Sequence, residues 1–520
     1  MKKVLLMTLV ILLSLNVKSQ TRELTGVKKV HLSNVQSIGS RYETKGYYAF
    51  YAMEKSDKGM VNYRLEILND NLGSTHSIDI KKDKNIYLLE GKFNGTHFCF
   101  SFLNYKEKTL EFDIYDLNGK KTGSQSIKEV DQMYIMQLAQ QLENEDSFYS
   151  GGLLEVPNQG FAYSYAQKGK GMKIFIDMID NKGKKKWTLG SGVMEKSFEQ
   201  FTFLYSNEEN IFFTIASRSS AMTKEVDYNL IQVNTTTGKA TSKNQFVDKN
   251  DFYLPFGVEY DEQKSEYIVY GEYYKKINGK ASFKDKEGFF LKKLNKDGKE
   301  VYSKNISWEK DMSKKIKVGD KGKLEDGVAI FVHKIVKTND GKYYAIAEQF
   351  NKVVSGLGVA SAIMNGGNSS GVSLAKINIL NMMVFELNSD FSLENVTIFE
   401  KNKTSVELPS GAEFLDENTL GLFVKIYGGF DYTYTSSNKA NTNFQTTYVN
   451  YNRKNDKGDS KFNIGVISLN DTKKITDTKI NLKSKPTRFS VMPSKPGYLV
   501  IFEYFKKEKR AAFRMEKTDI

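Results

Sequence analysis

A short turn pattern recurs along the chain and constrains the fold more than any other feature of the sequence. Each copy follows an apolar run, begins with Asn or Asp, and in most cases continues into Gly or Lys. The seven copies are Ile67–Gly73, Asp116–Lys120, Ile179–Lys184, Val233–Lys239, Leu294–Lys299, Leu387–Asp390 and Leu469–Asp471. Because Asn, Asp and Gly tolerate the positive φ of tight turns, each copy predicts a hairpin between two antiparallel strands.

Four short strands can be placed around each turn. Around the second turn they are Ile86–Asn94, His97–Asn104, Thr109–Asp116 and Lys121–Lys128. Four-stranded repeats at a period of roughly 40 to 60 residues resemble the blades of a β-propeller, in which each twisted sheet buries both faces against its neighbours. The chain is similar in this respect to uncharacterised secreted propeller-like families. Because the resemblance lies in architecture and not in a motif, it implies an all-β fold and transfers no functional residue.

The two ends of the chain predict how the ring closes. After the seventh unit only three strands remain, Thr487–Ser494, Gly497–Lys507 and Arg510–Lys517. The N-terminal run Val27–Asn34 can supply the fourth strand, which would hide two sheet edges that otherwise invite aggregation. We therefore expect eight four-stranded blades, with seven as the alternative count. Paired β-sandwich domains are the alternative fold.

Four segments depart from the repeat. Asp131–Glu145 has apolar pairs at helical spacing and predicts a helix between the second and third units. Three longer insertions, Lys275–Glu287, Val353–Ser373 and Gly428–Ser460, are expected between the second and third strands of their blades. Since such connections share one end of a propeller, we expect that end to be the functional face.

The N-terminus predicts export. Lys2 and Lys3 precede the apolar stretch Val4–Leu15, and small side chains follow up to Ser19, as in a cleaved signal peptide covering residues 1–19. The stretch is shorter than the roughly 20 residues needed to span a bilayer, and no later segment comes closer. Residues 20–520 are therefore expected to form a single exported domain in the periplasm, on the cell surface or outside the cell.

Charge and cysteine content narrow the classes of partner. The formal net charge is +14, but only eight of the 76 basic residues are arginine, the residue best suited to bidentate phosphate and base contacts. Nucleic acid is therefore not an expected partner. Cys99 is the one cysteine of the sequence, so the core must be stable without an intramolecular disulfide.

The segment from Gly428 to Ser460 contains the candidate binding residues. Large aromatic side chains alternate with Thr and Asn, a pattern that predicts an amphipathic hairpin. The five candidate partner-binding residues are Phe430, Tyr432, Tyr434, Phe444 and Tyr448. Their rings could stack on sugars or grip a peptide. The alternative is that the hairpin folds over the ring and buries them locally.

Sequence patterns that could carry chemistry fail on inspection. Gly367–Gly371 matches the nucleophile elbow of α/β-hydrolases, but no histidine follows Ser369 as that fold requires. His97 and Cys99 share one side of a strand, yet two ligands do not make a metal site, and a small buried thiol is the simpler interpretation. No catalytic residue, metal or cofactor is predicted.

These observations favour an exported, non-catalytic binding or scaffold protein that recognises a protein, peptide or glycan through the loop-rich face. The first alternative is a propeller enzyme acting on polysaccharide, a glycoside hydrolase or lyase, because carboxylate pairs cannot be located among 62 acidic residues in one sequence. A second alternative is a surface protein whose lysines contact anionic lipid heads or polysaccharide.

Overall fold

The computed structural model describes most of the chain as antiparallel sheet. The described residues are 20–40, 42–143, 152–167, 173–190, 198–218, 227–277, 283, 286–319, 322–354, 375–407, 417–426, 428–451, 462–482 and 484–518. They form eight sheets of four or five strands, each strand paired antiparallel to its neighbour. This confirms the predicted all-β, eight-bladed propeller.

Each of the first four sheets is built from consecutive strands, written here from the ring axis outward. They are sheet one, β2 (Val27–Lys29) with β3 (Val35–Gly39), β4 (Thr44–Met53), β5 (Met60–Asn69) and β6 (Ser74–Asp83); sheet two, β7 (Ile86–Phe93), β8 (His97–Asn104), β9 (Thr109–Asp116) and β10 (Lys121–Ile127); sheet three, β11 (Leu153–Val156), β12 (Gly160–Gln167), β13 (Lys173–Asp180) and β14 (Lys185–Gly190); and sheet four, β15 (Phe198–Ser206), β16 (Asn210–Arg218), β17 (Asp227–Asn234) and β18 (Ala240–Gln245).

The remaining sheets repeat this order, except that the last borrows a strand from the N-terminus. They are sheet five, β19 (Asp251–Asp261), β20 (Glu266–Lys275), β21 (Lys286–Leu294) and β22 (Glu300–Ser307); sheet six, β23 (Ala329–Lys337), β24 (Tyr343–Val354), β25 (Ala375–Leu387) and β26 (Leu393–Phe399), with β27 (Thr404–Glu407) also on β25; sheet seven, β28 (Tyr432–Ser437), β29 (Phe444–Tyr451), β30 (Phe462–Leu469) and β31 (Ile475–Asn481); and sheet eight, β32 (Arg488–Pro493), β33 (Tyr498–Phe505), β34 (Arg510–Lys517) and β1 (Thr21–Thr25).

The ring closes through the N-terminal strand, but not through the segment that the sequence suggested. Thr21–Thr25 pairs with β34 as the outermost strand of sheet eight, whereas Val27–Lys29 belongs to sheet one. Gly26 separates the two with a φ of +71°, which lets the chain turn from one sheet into the next. The Val27 backbone N–H donates to the Lys509 carbonyl at 2.9 Å across this junction. Both chain ends therefore meet in sheet eight, next to sheet one.

The recurring turns join the third and fourth strands of their sheets, as predicted. In the second copy the Asp116 carboxylate accepts hydrogen bonds from the backbone N–H groups of Asn118 and Lys120, both at 2.9 Å. The turn glycines also pack closely against the preceding sheet. A Cβ at Gly238, whose φ is +69°, would lie 2.5 Å from Cγ of Trp187. The turn residues therefore fix both the hairpin and its contact with the neighbouring sheet.

The hydrophobic core lies between adjacent sheets. Between sheets one and two, Phe50 packs on Phe100 with ring centroids 4.1 Å apart, and Tyr48 meets Phe98 edge to face at 5.1 Å. All four residues are fully buried. Aromatic and β-branched residues that alternate along the strands thus fill both faces of a blade, which is why the repeat cannot be stable as an isolated sheet.

Two α-helices occur in the described ranges, each connecting successive sheets. Helix α1 (Gln132–Glu143) lies where the sequence predicted one; Asp131 caps it by accepting the Met133 N–H at 2.8 Å, and Leu138 is buried. Helix α2 (Glu417–Ile426) joins sheets six and seven and was not predicted. Short 3₁₀ turns cover Leu32–Asn34, Met312–Lys314 and Glu325–Gly327. Within the described residues, neither α-helix is long and apolar enough to cross a membrane.

The three predicted insertions have different outcomes. Lys275–Glu287 and Val353–Ser373 do fall between second and third strands, with 278–282, 284–285 and 355–374 outside the described residues. Gly428–Ser460 is not an insertion, because it contains β28 and β29, the first two strands of sheet seven. Only its last part, 452–461, connects a second strand to a third, and that part also lies outside the described residues.

Candidate functional site

The two ends of the ring differ in what connects the strands. Connections from second to third strands and from one sheet to the next leave from one end, here called the long-loop end; α1 and α2 belong to it. Connections from first to second and from third to fourth strands, including the seven recurring turns, form the opposite turn end. A candidate site can therefore be assigned to an end from strand order alone.

A cleft of about 390 Å³ opens at the long-loop end between sheets one and two. Helix α1 closes one side of it with Ala139 and Leu142, and five strands, β2, β4, β5, β7 and β8, together with two connecting residues form the rest. Its lining residues are Lys29, His31, Phe50, Ala52, Tyr63, Tyr87, Leu88, Leu103, Tyr105, Ala139 and Leu142. This volume lies in the range of roughly 300 to 1,000 Å³ that is usual for small-ligand pockets.

The cleft has an apolar floor and an aromatic rim. Phe50, Leu88 and Leu103 are buried, whereas Tyr87 and Tyr105 are 45% and 51% exposed. The Tyr63 hydroxyl donates to the Ile86 carbonyl at 3.3 Å, and burial raises the pKa of this phenol to about 12. The phenol is therefore neutral near pH 7. Large aromatic side chains left half-exposed beside an apolar floor are typical of a surface that a ligand covers.

One cationic side chain lies at the edge of the cleft. Lys29 donates from Nζ to the Leu142 carbonyl at 3.4 Å, which ties β2 to the last turn of α1. His31 lines the same edge. The cleft therefore combines apolar contact area with hydrogen-bonding groups at one side.

A second and larger cavity, about 1290 Å³, lies on the ring axis and opens at the turn end. The first strands of sheets one, two, three and eight contribute to its wall, which mixes apolar side chains with polar and charged ones that include Gln36, Lys92 and Glu155. Lys92 Nζ lies 3.8 Å from Glu155 Oε2, and this carboxylate raises the pKa of Lys92. Glu208 at the mouth accepts a hydrogen bond from Asn158 Nδ2 at 2.6 Å. Two carboxylates of the axial cavity, Glu155 and Glu208, thus each have a polar neighbour.

The five aromatic residues singled out from the sequence do not form one face. Tyr432 is stacked on His333 with centroids 4.5 Å apart, and Phe430 packs on Phe331 at 5.2 Å. The chain of β28 then shifts register between Tyr432 and Tyr434, so that Tyr434 packs towards sheet eight. Four of the five residues lie in strands of sheet seven and Phe430 lies just before β28, so the structure agrees with the alternative in which these rings are buried locally and not with a shared aromatic face.

Two further aromatic residues of that set are buried between sheets. Phe444 and Tyr448 are at most 2% exposed and lie in the core between sheets six and seven. The Tyr448 hydroxyl lies 3.0 Å from both carboxylate oxygens of Asp477. They stabilise the ring, and a partner could reach them only if the sheets separated.

The sequence pair His97 and Cys99 also proves structural. Cys99 is fully buried, and burial raises the pKa of its thiol well above the usual value. The half-buried His97 places Nδ1 3.0 Å from the Thr96 hydroxyl. Among the described residues there is no cluster of three or more His, Cys, Asp or Glu side chains that could hold a metal ion.

A row of five titratable side chains, which sequence patterns did not indicate, runs between sheets six and seven under α2. His333 Nδ1 lies 3.4 Å from Lys425 Nζ, and His333 Nε2 lies 3.3 Å from Glu348 Oε2. Glu348 Oε1 lies 3.3 Å from Lys401 Nζ, which in turn lies 2.5 Å from Asp431 Oδ2. We call these five residues the charged row.

Burial dominates the electrostatics of the charged row. It raises the pKa of Glu348, raises that of Asp431 to about 7, and lowers that of His333 well below its ordinary value. Burial also lowers the pKa of Lys425 to about 8. His333 is the extra residue where β23 shifts register against β24, between Val332 and Lys334. Such bulges re-aim side chains, which explains how an imidazole comes to point into this interface.

The fold and these sites define an eight-bladed β-propeller with a cleft at its long-loop end. The chain belongs to the family described as "Family of unknown function (DUF6770)", whose profile matches residues 1–519. No curated protein matches the sequence.

Solved structures with a similar arrangement of strands are distant in sequence. Prolyl oligopeptidase B from Galerina marginata is 8% identical with a TM-score of 0.39 over 93% of this chain and 55% of its own. Quinohemoprotein alcohol dehydrogenase from Comamonas testosteroni is 9% identical, with a TM-score of 0.41 over 96% of this chain and 76% of its own. The β-propeller domain of the Trilobed protease from Pyrococcus furiosus is 10% identical, with a TM-score of 0.32 over 71% and 97%. These values support no statement about activity, and the chain spans little more than half the length of the peptidase.

Proposed function

We propose that this protein is an exported, non-catalytic binding protein that holds a glycan in the cleft between sheets one and two. The observation that carries the proposal is the pair of half-exposed tyrosines, Tyr87 and Tyr105, at the rim of a 390 Å³ apolar cleft. Support for export comes from the N-terminal pattern of Lys2, Lys3 and the apolar stretch Val4–Leu15.

The chemistry of the cleft suits a sugar ring better than a purely apolar ligand. A pyranose offers an apolar C–H face that stacks on tyrosine and hydroxyls that hydrogen-bond at its edge. The rim supplies the stacking surface, while Lys29 and His31 supply polar groups at one side. The location at the long-loop end matches the face expected from the sequence, although the residues differ from the five proposed there.

The expected affinity is modest. Burying half of an aromatic side chain removes on the order of 100 Å² from water, or about 2.5 kcal/mol at 25 cal/mol per Å². The two tyrosines together supply about 5 kcal/mol, and the cost of association reduces this sum, so we expect dissociation constants of about 1 mM or weaker. Truncating either tyrosine should weaken binding by about 1–2 kcal/mol, or roughly five- to thirty-fold.

The test is affinity electrophoresis of the 20–520 chain through gels containing soluble polysaccharides, followed by titration calorimetry on the best retarding glycan. Tyr87→Ala and Tyr105→Ala should each abolish or strongly reduce retardation without a large change in melting temperature. Tyr302→Ala, which removes a comparably exposed tyrosine from the outer strand of sheet five, should leave retardation unchanged. Equal retardation of all four proteins, or of none, would refute the cleft as a glycan site.

A second candidate function is hydrolysis or elimination on polysaccharide in the axial cavity. The observation that favours it is the presence of Glu155, Glu208 and Glu262 in the cavity wall, since glycosidases use paired carboxylates. The discriminating assay is release of reducing or unsaturated ends from the same polysaccharides. Activity that Glu155→Gln abolishes and Tyr87→Ala leaves intact would favour the enzyme over the binding protein.

A further inference from the structure

The charged row contains an arrangement with a chemical use beyond glycan binding. Lys425, His333 and Glu348 stand in line, with the Lys425 amine 3.4 Å from one imidazole nitrogen and the Glu348 carboxylate 3.3 Å from the other. A nucleophile, a base and an acid that orients the base, in that order, are the parts of an activated nucleophile. Here the nucleophilic atom is a primary amine.

We propose that Lys425 is a reactive amine that captures a small aldehyde or ketone as a Schiff base, with His333 moving the proton and Glu348 positioning the imidazole. The proposal is independent of the glycan cleft, which lies between sheets one and two, whereas this site lies between sheets six and seven.

The surroundings favour the neutral amine. Lys425 is in the last turn of α2, half-buried, with its Nζ 4.6 Å from the centroid of the Tyr432 ring. Burial and the charge of Lys334 lower its pKa to about 8, while Glu348 opposes this shift. At pH 7 such a group is roughly one-tenth free amine, against less than about one part in a thousand for an ordinary lysine.

The imidazole is held in a fixed orientation. Its ring lies parallel to that of Tyr432, with an interplanar angle of 3°, and edge-on to Phe430 at 4.8 Å. Burial lowers its pKa well below the usual value, so the ring is neutral near pH 7. Glu348 Oε2 faces Nε2 at 3.3 Å without a hydrogen bond, and Lys425 Nζ faces Nδ1, so the tautomer with its proton on Nε2 presents the lone pair of Nδ1 to the amine.

The second half of the row neutralises the carboxylate that orients the base. Lys401 lies within 3.3 Å of both Glu348 and Asp431, and all three side chains are nearly or fully buried. Lys401 therefore bridges the two carboxylates of the row. Lys425 is the lysine of this row that adjoins the imidazole.

The proposed step balances without an oxidant or reductant. The Lys425 nitrogen forms a bond to the carbonyl carbon, one amine proton passes to His333 Nδ1, and His333 returns it to the carbonyl oxygen to give a carbinolamine. The C–O bond then breaks, the hydroxyl leaves as water with the second amine proton, which His333 also transfers, and the C=N bond of the imine forms. Hydrolysis reverses the sequence, so the capture is reversible.

The experiment is competitive labelling of the intact protein with limiting glycolaldehyde and sodium cyanoborohydride at pH 7, followed by peptide mass spectrometry. The reductant converts an imine into a stable hydroxyethyl amine, so labelled lysines are counted directly. Lys425 holds on the order of a hundred times more free amine than Lys81, an exposed lysine whose pKa Asp57 raises, so it should be labelled at least about tenfold faster even though its burial slows access. Lys334, which forms an ion pair with Glu259 at 2.5 Å, is the neighbouring control and should react slowly.

Variants separate proton transfer from simple burial. His333→Asn should slow labelling of Lys425 at least several-fold while Lys81 is unaffected, and Glu348→Gln should shift the pH profile of labelling. Lys425 labelling that is no faster than that of Lys81 and Lys334 in the wild-type protein overturns the proposal, whether or not the variants fold. The glycan assay does not depend on this result, so either proposal can fail alone.

Discussion

A buried ion pair in sheet five provides the sharpest test of how this ring is stabilised. Lys286 and Glu272 are on adjacent strands, with Nζ and Oε1 2.6 Å apart, and their side chains are 1% and 3% exposed. Lys286 also donates to the Ile330 carbonyl of sheet six at 3.1 Å, and Tyr274 donates to the same carboxylate. Replacing Lys286 by Met keeps an unbranched chain as far as Cε but removes the ammonium, which leaves the buried Glu272 carboxylate without its ionic partner.

The cost of Lys286→Met can be worked out from the carboxylate. Removing one partner of a buried ion pair, so that the other charge is left unpaired, typically costs about 3–5 kcal/mol. The Glu272 carboxylate can instead bind a proton and become neutral. At pH 7 this costs about 1.36 kcal/mol for each pH unit above the unfolded pKa of roughly 4.3, or about 3.7 kcal/mol. Burial already raises the pKa of Glu272 when Lys286 is present, so protonation of the carboxyl group is accessible in the folded variant. We expect a loss of about 3–4 kcal/mol at pH 7.

The pH dependence distinguishes this mechanism from a packing defect. A carboxyl whose folded pKa lies above its unfolded pKa favours the folded state when protonated, so stability falls as pH rises between the two values. The penalty of Lys286→Met should therefore shrink from about 3.7 kcal/mol at pH 7 to about 1 kcal/mol at pH 5. Denaturant unfolding followed by tryptophan fluorescence measures it, since Trp308 lies beside Lys286.

The control is the double variant Lys286→Met with Glu272→Gln. It removes the stranded charge while the amide still accepts from Tyr274, so it should recover most of the loss at pH 7. A single-variant penalty below about 1 kcal/mol, or one that does not change between pH 5 and pH 7, would refute the reasoning.

Two further predictions concern ring closure and the turn glycines. Leu24 is the buried residue of the closing strand β1, so Leu24→Ala should lower the free energy of unfolding by about 2–4 kcal/mol in denaturant titration. The control Thr25→Ala changes the exposed neighbour and should lower it by less than about 1 kcal/mol. Equal effects of the two substitutions would argue against closure through β1. Gly238→Ala places a Cβ 2.5 Å from the Trp187 ring and should lower the melting temperature. Gly59→Ala should lower it less, because its φ is similarly positive but no atom lies within 4 Å of the added Cβ. The reverse order would show that backbone strain, and not contact with the neighbouring sheet, governs these turns.

The architecture could be predicted because the turn chemistry is local. In five of the seven recurring turns one side chain accepts from the backbone N–H groups two and four residues later, as Asp180 does from Lys182 and Lys184, both at 2.9 Å. In the other two turns Asn234 accepts from Thr236 and Thr237, and Asp390 accepts from Ser392. Because these hydrogen bonds involve no distant residue, each of the seven copies could be recognised as one hairpin from the sequence alone. The eighth sheet followed from the strands left over at the two ends.

The closing strand was misplaced because an outermost strand has little reason to be apolar. In Thr21–Thr25 only Leu24 is buried, so the segment lacks the run that marks an inner strand. The apolar residues Val27 and Val30, which are both buried, led to the prediction of Val27–Asn34 as the closing strand instead. Sequence patterns locate cores well and exposed edges poorly.

Sheet seven was misread for a related reason. Leu420 to Ile426 is apolar and partly β-branched, a pattern that fits a strand as well as it fits α2. Counting it as a strand moves β28 and β29 into an apparent insertion. Packing of Leu420 and Val424 on sheet six decides for the helix, and that contact is not visible in the local pattern.

The cleft and the charged row could not have been found from local spacing. Tyr63 and Tyr87 come from different sheets, and His333 and Lys425 are 92 positions apart. The one available signal was a charged residue within an apolar strand, as with His333 after Phe331 and Val332 or Glu348 after Ala347. Such positions are worth noting before a structure exists, because a charge inside a strand that is buried on both faces must have a partner.

Ion pairs between sheets also explain how a ring without disulfides keeps its order. The apolar faces of the eight sheets are chemically alike, so hydrophobic burial alone favours stacking but specifies neither neighbour nor register. Arg22 of sheet eight pairs with Glu66 of sheet one at 3.2 Å, and Lys82 of sheet one pairs with Asp113 of sheet two at 2.8 Å.

The same pattern recurs on the other side of the ring. Lys337 of sheet six pairs with Asp261 of sheet five at 2.6 Å, and Lys401, which follows sheet six, pairs with Asp431 at the start of sheet seven at 2.5 Å. A sheet shifted by one residue would present each buried acid to an apolar side chain, at a cost of several kcal/mol for every unpaired charge. We infer that these pairs set the register of neighbouring sheets, while the aromatic cores between them supply most of the stabilisation.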